Sequence, residues 1–209
     1  MAAELALAAA AAGRSVQLVG KIGNDEAGDA LLTALAFAGV GHAAILRDAA
    51  NATPVHVAGS ELLSAALEGS LLDDQDDGEL DSAPLPVGLS MDAADVALAL
   101  RYLTDFHVVV VAAPLDTPAV EAVLDAAGFA GAHVIHLDGA DVPGGAPGDR
   151  VLAAASNVVT TAFEAPAGHE PAFIAMVGRY AAGLDAGREP RDAFADAARD
   201  TRWERAASE

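Results

Sequence analysis

The chain contains no cysteine, which excludes disulfides, thiolate metal sites and cysteine nucleophiles. Aromatic residues are scarce at 4%, so the core has to come from small and aliphatic side chains. Lysine occurs once, at Lys21, and ten arginines bring the basic total to 11 against 31 acidic residues, a net charge of −20. So negative a surface argues against nucleic acid and anionic lipid as partners, because both demand cations facing phosphate. No apolar run is long enough to cross a membrane, since Gly, Arg or Asp interrupts every Ala-rich stretch. The opening Met1-Ala-Ala-Glu4 lacks the basic start of a signal peptide. A cytoplasmic protein is the expectation.

What is present is alanine, leucine and valine in quantity: 53% of the 209 residues are hydrophobic. That is enough for one domain spanning 1–209. Residues 2–12 read as a helix stopped at Gly13, and 15–19 as a strand. A polar turn, 20–25, leads to a helix over 25–38, with Ala27, Leu31, Ala34 and Leu35 at helical spacing and Gly39 as its stop. Strands are predicted at 43–46 and 54–58. An acidic, Pro-containing loop, 69–90, follows, running from Leu-Leu-Asp73 to Pro84 and Pro86.

After it the pattern becomes regular. Helices are predicted at 91–104 and 117–127, and Val-rich strands at 107–111 and 132–137. A Gly/Pro loop over 138–149, a short helix at 150–155 and a strand at 158–160 come next, then helices at 173–186 and 190–199. Continuous apolar strands alternating with helices mean a mostly parallel sheet covered on both faces, an α/β/α sandwich. The strands at 15–19, 107–111 and 132–137 are expected side by side. Six arginines between Arg179 and Arg205 read as compensation of helix C-termini and as surface charge.

The segment from Ala6 to Leu32, with Gly13, Gly20-Lys21-Ile22-Gly23-Asn24-Asp25 and Gly28, resembles the opening of the ribokinase-like (PfkB) family of sugar and nucleoside kinases. That family runs helix, strand, G-x-x-G-x-D-x-x-G, helix. Gly39-Val40 and Thr53-Pro54 follow in the expected order, and Gly183-Leu184 through Ala198 resembles the family's C-terminal helix pair. The resemblance implies a ribokinase-like sandwich, and Gly20, Lys21, Gly23 and Asp25 on the side of a sugar or nucleoside substrate. For Lys21 taken by itself, a plain solvated turn is the favoured reading over a ligand contact.

Two departures from the family pattern bear on activity. The family begins with a strand bearing a sugar-binding Asp, then a Gly-Gly turn and an Asn. Here the match starts inside the following helix with Glu4 at the Asn position, so the first strand is expected to be missing. The family's D-T-x-G-A-G-D motif supplies a phosphate cradle and a catalytic base. Counted back from Gly183-Leu184, its place is taken by Gly168-His169-Glu170-Pro171-Ala172-Phe173-Ile174. Proline has no amide to donate and isoleucine cannot take a proton.

Other motifs have plainer readings. Gly144-Gly-Ala-Pro147-Gly148-Asp149 imitates an anion hole but reads as a connecting loop. Asp73–Gly78 departs from a calcium loop at Gln75 and Pro84. His133 and His136 fall on opposite faces of a strand and cannot share a metal. The His169-Glu170 pair lies on a predicted loop. The sequence therefore points to a catalytically inactive kinase homologue, a binding or assembly protein needing no cofactor, with a homodimer expected from an unpaired sheet edge. The competing expectation is an active kinase that uses ATP and Mg²⁺, with Asp149 or Asp138 as base. A purely structural oligomer is the third class.

Overall fold

The computed structural model describes residues 1–54, 89–103, 105–138, 158–164 and 171–203. The elements in order are α1 (Ala2–Ala11), β1 (Gln17–Gly23), α2 (Glu26–Phe37), β2 (Gly41–Asp48), α3 (Ala93–Tyr102), β3 (Val108–Val111), α4 (Thr117–Ala130), β4 (His133–Asp138), β5 (Thr160–Glu164), α5 (Pro171–Asp185) and α6 (Pro190–Thr201). All pairings among the described strands are parallel, in two groups: β1 with β2, and β3–β4–β5 in that order.

Aspartates start three of the helices. Asp25 accepts from the Gly28 amide at 2.8 Å, Asp116 from Ala119 at 2.9 Å and Asp92 from Asp95 at 2.9 Å. Asp95 returns a bond to the Asp92 amide at 3.2 Å, completing a capping box. Each cap satisfies an amide that has no partner within the helix. Helix α4 ends at Gly131, whose φ of 65° suits a residue without Cβ.

Three apolar clusters hold the layers. Phe173, Ile174, Met176, Val177 and Tyr180 of α5 pack on Ile135 and Leu137 of β4, together with Leu5 of α1. Val96 of α3 and Val120, Val123 and Leu124 of α4 cover Val111 and Val134 on another side of the same sheet. A smaller cluster joins Ala6 of α1 to Leu35 and Val40 around α2 and β2. Three of the nine aromatics, Phe163, Tyr180 and Phe194, group around β5. Phe163 meets the Tyr180 ring edge-on at 5.5 Å and stacks on Phe194 at 5.9 Å. The Tyr180 hydroxyl bonds Thr161 at 3.0 Å, so its polar end is satisfied inside the core. Close helix packing replaces side-chain bulk elsewhere: a Cβ on Gly178 would lie 2.7 Å from the Ala8 Cβ.

Several sequence expectations are corrected. The strand at 107–111 does lie beside the one at 132–137, but the 15–19 segment does not join them. It pairs with β2 instead, because β1–α2–β2 is a short crossover unit whose sequential strands become neighbours. The predicted polar turn 20–25 is strand as far as Gly23, since Gly20, Lys21 and Ile22 continue the ladder opposite Ile45, Leu46 and Arg47. The final strand runs over Thr160–Glu164 rather than 158–160. The helix at 150–155, most of the 69–90 loop and the 55–58 part of a predicted strand lie outside the described residues.

Candidate functional site

Open parallel sheets bind ligands beyond the carboxyl ends of their strands. At the end of β1, one carboxylate organises the chain. Asp25 Oδ1 accepts the Gly28 amide at 2.8 Å and the Thr53 hydroxyl at 2.6 Å, while Oδ2 accepts the Thr53 amide at 2.7 Å. Thr53 Oγ1 in turn accepts from the Gly23 amide at 2.9 Å. These bonds hold the Asp25 carboxyl below its ordinary range, with the Thr53 hydroxyl as the largest cause. The two glycines are sterically required. A Cβ on Gly23 would sit 2.5 Å from the Asn51 carbonyl oxygen, and one on Gly28 would sit 2.8 Å from that of Gly23.

The end of β2 is closed in the same manner. Asp48 accepts from the Ala50 amide at 2.8 Å and from Asn51 Nδ2 at 2.9 Å. Its carbonyl oxygen receives the Asn24 amide at 3.1 Å, tying the two strand ends together. Arg47 reaches across to Asn24 Oδ1 at 3.2 Å and to Asp29 Oδ1 at 2.5 Å.

Lys21 projects from β1 to Asp95 in the first turn of α3, with 2.5 Å between Nζ and Oδ2. Its pKa is raised, first by that hydrogen bond, against an opposing desolvation, and then by the charges of Asp95, Asp92 and Asp48. Lys21 therefore stays protonated and serves as a charge and hydrogen-bond donor rather than as a base. Gly20, one residue earlier, has nothing within 4 Å of where a Cβ would be. It leaves open space on its face of β1.

The four candidate substrate residues thus occupy one strand end but in two arrangements. Gly23 and Asp25 are committed to the turn, whereas Gly20 borders open space and Lys21 is paired with α3. Asp48, Asn51, Asp92 and Asp95 complete the surroundings. The capping box made Asp92 and Asp95 findable from their spacing, while Asp48 is brought in by the β2 register, which no motif announced. Among the described residues, no group of three His or carboxylate side chains is arranged to hold a metal ion.

The segment aligned with the family's catalytic motif behaves differently. Pro171 begins α5, and Ile174 points into the cluster formed with Ile135, Leu137 and Phe173, leaving 7% of its surface exposed. This is the apolar packing that its side chain demands. Asp149 lies outside the described residues, and Asp138 ends β4.

Comparison with solved structures places this architecture. A PfkB protein from Polaromonas sp. JS666 superposes with a TM-score of 0.53 at 16% identity, over 94% of this chain and 81% of that one. The fold is ribokinase-like. A fructokinase with bound ATP from Xylella fastidiosa matches at a TM-score of 0.43 and 18% identity, over 93% of this chain and 57% of its own. An uncharacterized sugar kinase, PH1459, from Pyrococcus horikoshii gives 0.38 and 13% over 85% and 48%. No family model matches the ribokinase-like chain, and no curated protein does. The likeness is one of fold.

Proposed function

We propose that this ribokinase-like chain is a non-catalytic relative of the sugar kinases that binds a small polyhydroxylated ligand or assembles with its own kind. The observation that carries this reading is the burial of Ile174 beside Phe173 at the start of α5. Phosphoryl transfer is catalysed by positioning and by electrostatic stabilisation of the phosphoryl oxygens. Pro171 offers no amide to such a cradle, Phe173 is turned into the core, and Ile174 has no group that accepts a proton. The residues at this helix start do not fit a transferring phosphate.

Gly20 and Lys21 are the residues we assign to ligand contact, by open backbone and by charge, with Gly23 and Asp25 shaping the turn that presents them. A sugar or nucleoside is the ligand class that the fold analogy suggests. A second copy of the chain is the proposed partner. Among the described residues, β3 is an edge strand made wholly of valine, the kind of edge that proteins cover or pair.

Asp138 gives the active-kinase reading its one support, because it ends β4, at the strand ends where α/β ligands bind. Thermal unfolding with and without ATP–Mg²⁺ separates the two readings. A nucleotide-using kinase is stabilised by mass action, whereas the non-catalytic reading expects an unchanged midpoint.

A further inference from the structure

Among the described residues, β1 and β2 share no ladder with β3–β4–β5. The two sheets meet through helix α1. Its Leu5 belongs to the α5–β4 cluster, and Ala8 and Ala9 pack against Gly178 of α5 closely enough that a Cβ there would lie 2.7 Å from Ala8. This fixes α1 to the larger body. Toward the other sheet, α1 contributes only Ala6 and the partly buried Leu7 and Ala10, which pack with Leu35 and Val40 and with the partly buried Leu18, Leu31 and Ile45. Helix α3 also lies against β2.

Two ion pairs fasten the smaller sheet, one toward each end of β1. Arg14, just ahead of the strand, gives Nε to Asp185 Oδ2 of α5 at 2.5 Å. Lys21, near its far end, reaches Asp95 of α3 at 2.5 Å. The chain passes from α1 to Arg14 through Gly13, whose φ is +84° and around whose Cβ position nothing lies within 4 Å. A residue of this kind can absorb backbone rotation without a clash.

We propose that β1, α2 and β2 move as one lobe, pivoting at Gly13 against the β3–β4–β5 body, with the Arg14–Asp185 and Lys21–Asp95 pairs as the latches that hold it closed. The α1 share of that contact is two alanines and one leucine, so the closed state leans on those charges, and salt weakens the more exposed Arg14–Asp185 pair more than the largely buried Lys21–Asp95 pair. The lobe carries Gly20–Asp25 and the body carries β3, β4 and β5, so opening shifts the candidate ligand residues relative to the body. The inference stands whether or not the chain transfers phosphate.

The absence of cysteine allows two spin labels to be placed cleanly. Phe37 on α2 is 90% exposed and Phe129 on α4 is 98% exposed, so F37C/F129C reports the lobe-to-body distance. F129C/A195C, both sites within the body, is the control. Distance distributions are measured by pulsed electron resonance at 50 mM and 1 M NaCl, and again at low salt with R14Q and K21M added. The expected result is a second, displaced F37C/F129C population that rises roughly three- to twentyfold with salt or with the latch substitutions, while the control pair stays unchanged. A single distance that ignores both treatments overturns the proposal. So does a parallel change in the control pair, which signals general loosening. If the R14Q/K21M chain does not fold, the salt series alone decides, by the same two criteria.

Discussion

Thr53 donates its hydroxyl to Asp25 Oδ1 at 2.6 Å and its amide to Oδ2 at 2.7 Å, closing 28 residues of chain on the carboxylate that caps α2. Two segments far apart in sequence thereby fix one strand end. Gly23→Ala should break this arrangement, because the added Cβ would lie 2.5 Å from the Asn51 carbonyl and 2.6 Å from the Thr53 amide. The expected loss is at least about 1–3 kcal/mol in urea unfolding, the usual cost of forcing atoms into filled space. An unchanged midpoint would mean that the turn is looser than described.

The same carboxylate sets a pH dependence. Asp25 has a folded pKa below the ordinary 3.8. Its contribution is complete above that value and is lost as pH falls through the folded pKa. Asp25→Asn should lower stability at neutral pH and flatten the acid limb below about pH 4. Lys21 has the opposite sign. Its folded pKa lies above 10.5, so its contribution holds below that value and is lost as pH rises through the folded one. Lys21→Met should remove that alkaline limb, measured by thermal melts across the alkaline range.

Much of the fold was legible because periodicity reports burial. Val108–Val111 and His133–Asp138 are apolar runs bounded by breakers, and they form the predicted parallel pair. Asp25, Asp92 and Gly39 act as the caps and stop that their residue types imply. The extension of β1 to Gly23 was not legible. Gly and Lys look like turn residues, and only pairing with Ile45 and Leu46 makes them strand. The division of the described strands into two sheets and the Asp185 contact with both Arg14 and His107 are likewise tertiary facts. At the candidate site, the motif spacing located Asp25 and Gly28, but the part played by Asp48 follows from register alone.

Close approach of α1 and α5 gives a packing test. A side chain on Gly178 meets the Ala8 Cβ at 2.7 Å and the Ala9 amide nitrogen at 3.0 Å. Gly178→Leu should therefore cost about 1–3 kcal/mol, lowering the melting temperature by roughly 2–4 °C per kcal/mol. A variant as stable as the parent would show that the helices separate at little cost.

Assembly has its own measurement. Light scattering coupled to size exclusion at micromolar concentration should return twice the 20.9 kDa chain mass. A monomer would remove the homodimer from the account.

The central claim is that the chain does not transfer phosphate, and its most direct test is turnover of ATP–Mg²⁺ against a panel of sugars and nucleosides. With no amide at Pro171 and no base at Ile174, the account predicts none. One lost oxyanion donor costs on the order of 10²–10³ in rate, and a lost general base roughly 10²–10⁴ more. Turnover that survives Ile174→Ala and disappears with Asp149→Asn would contradict it.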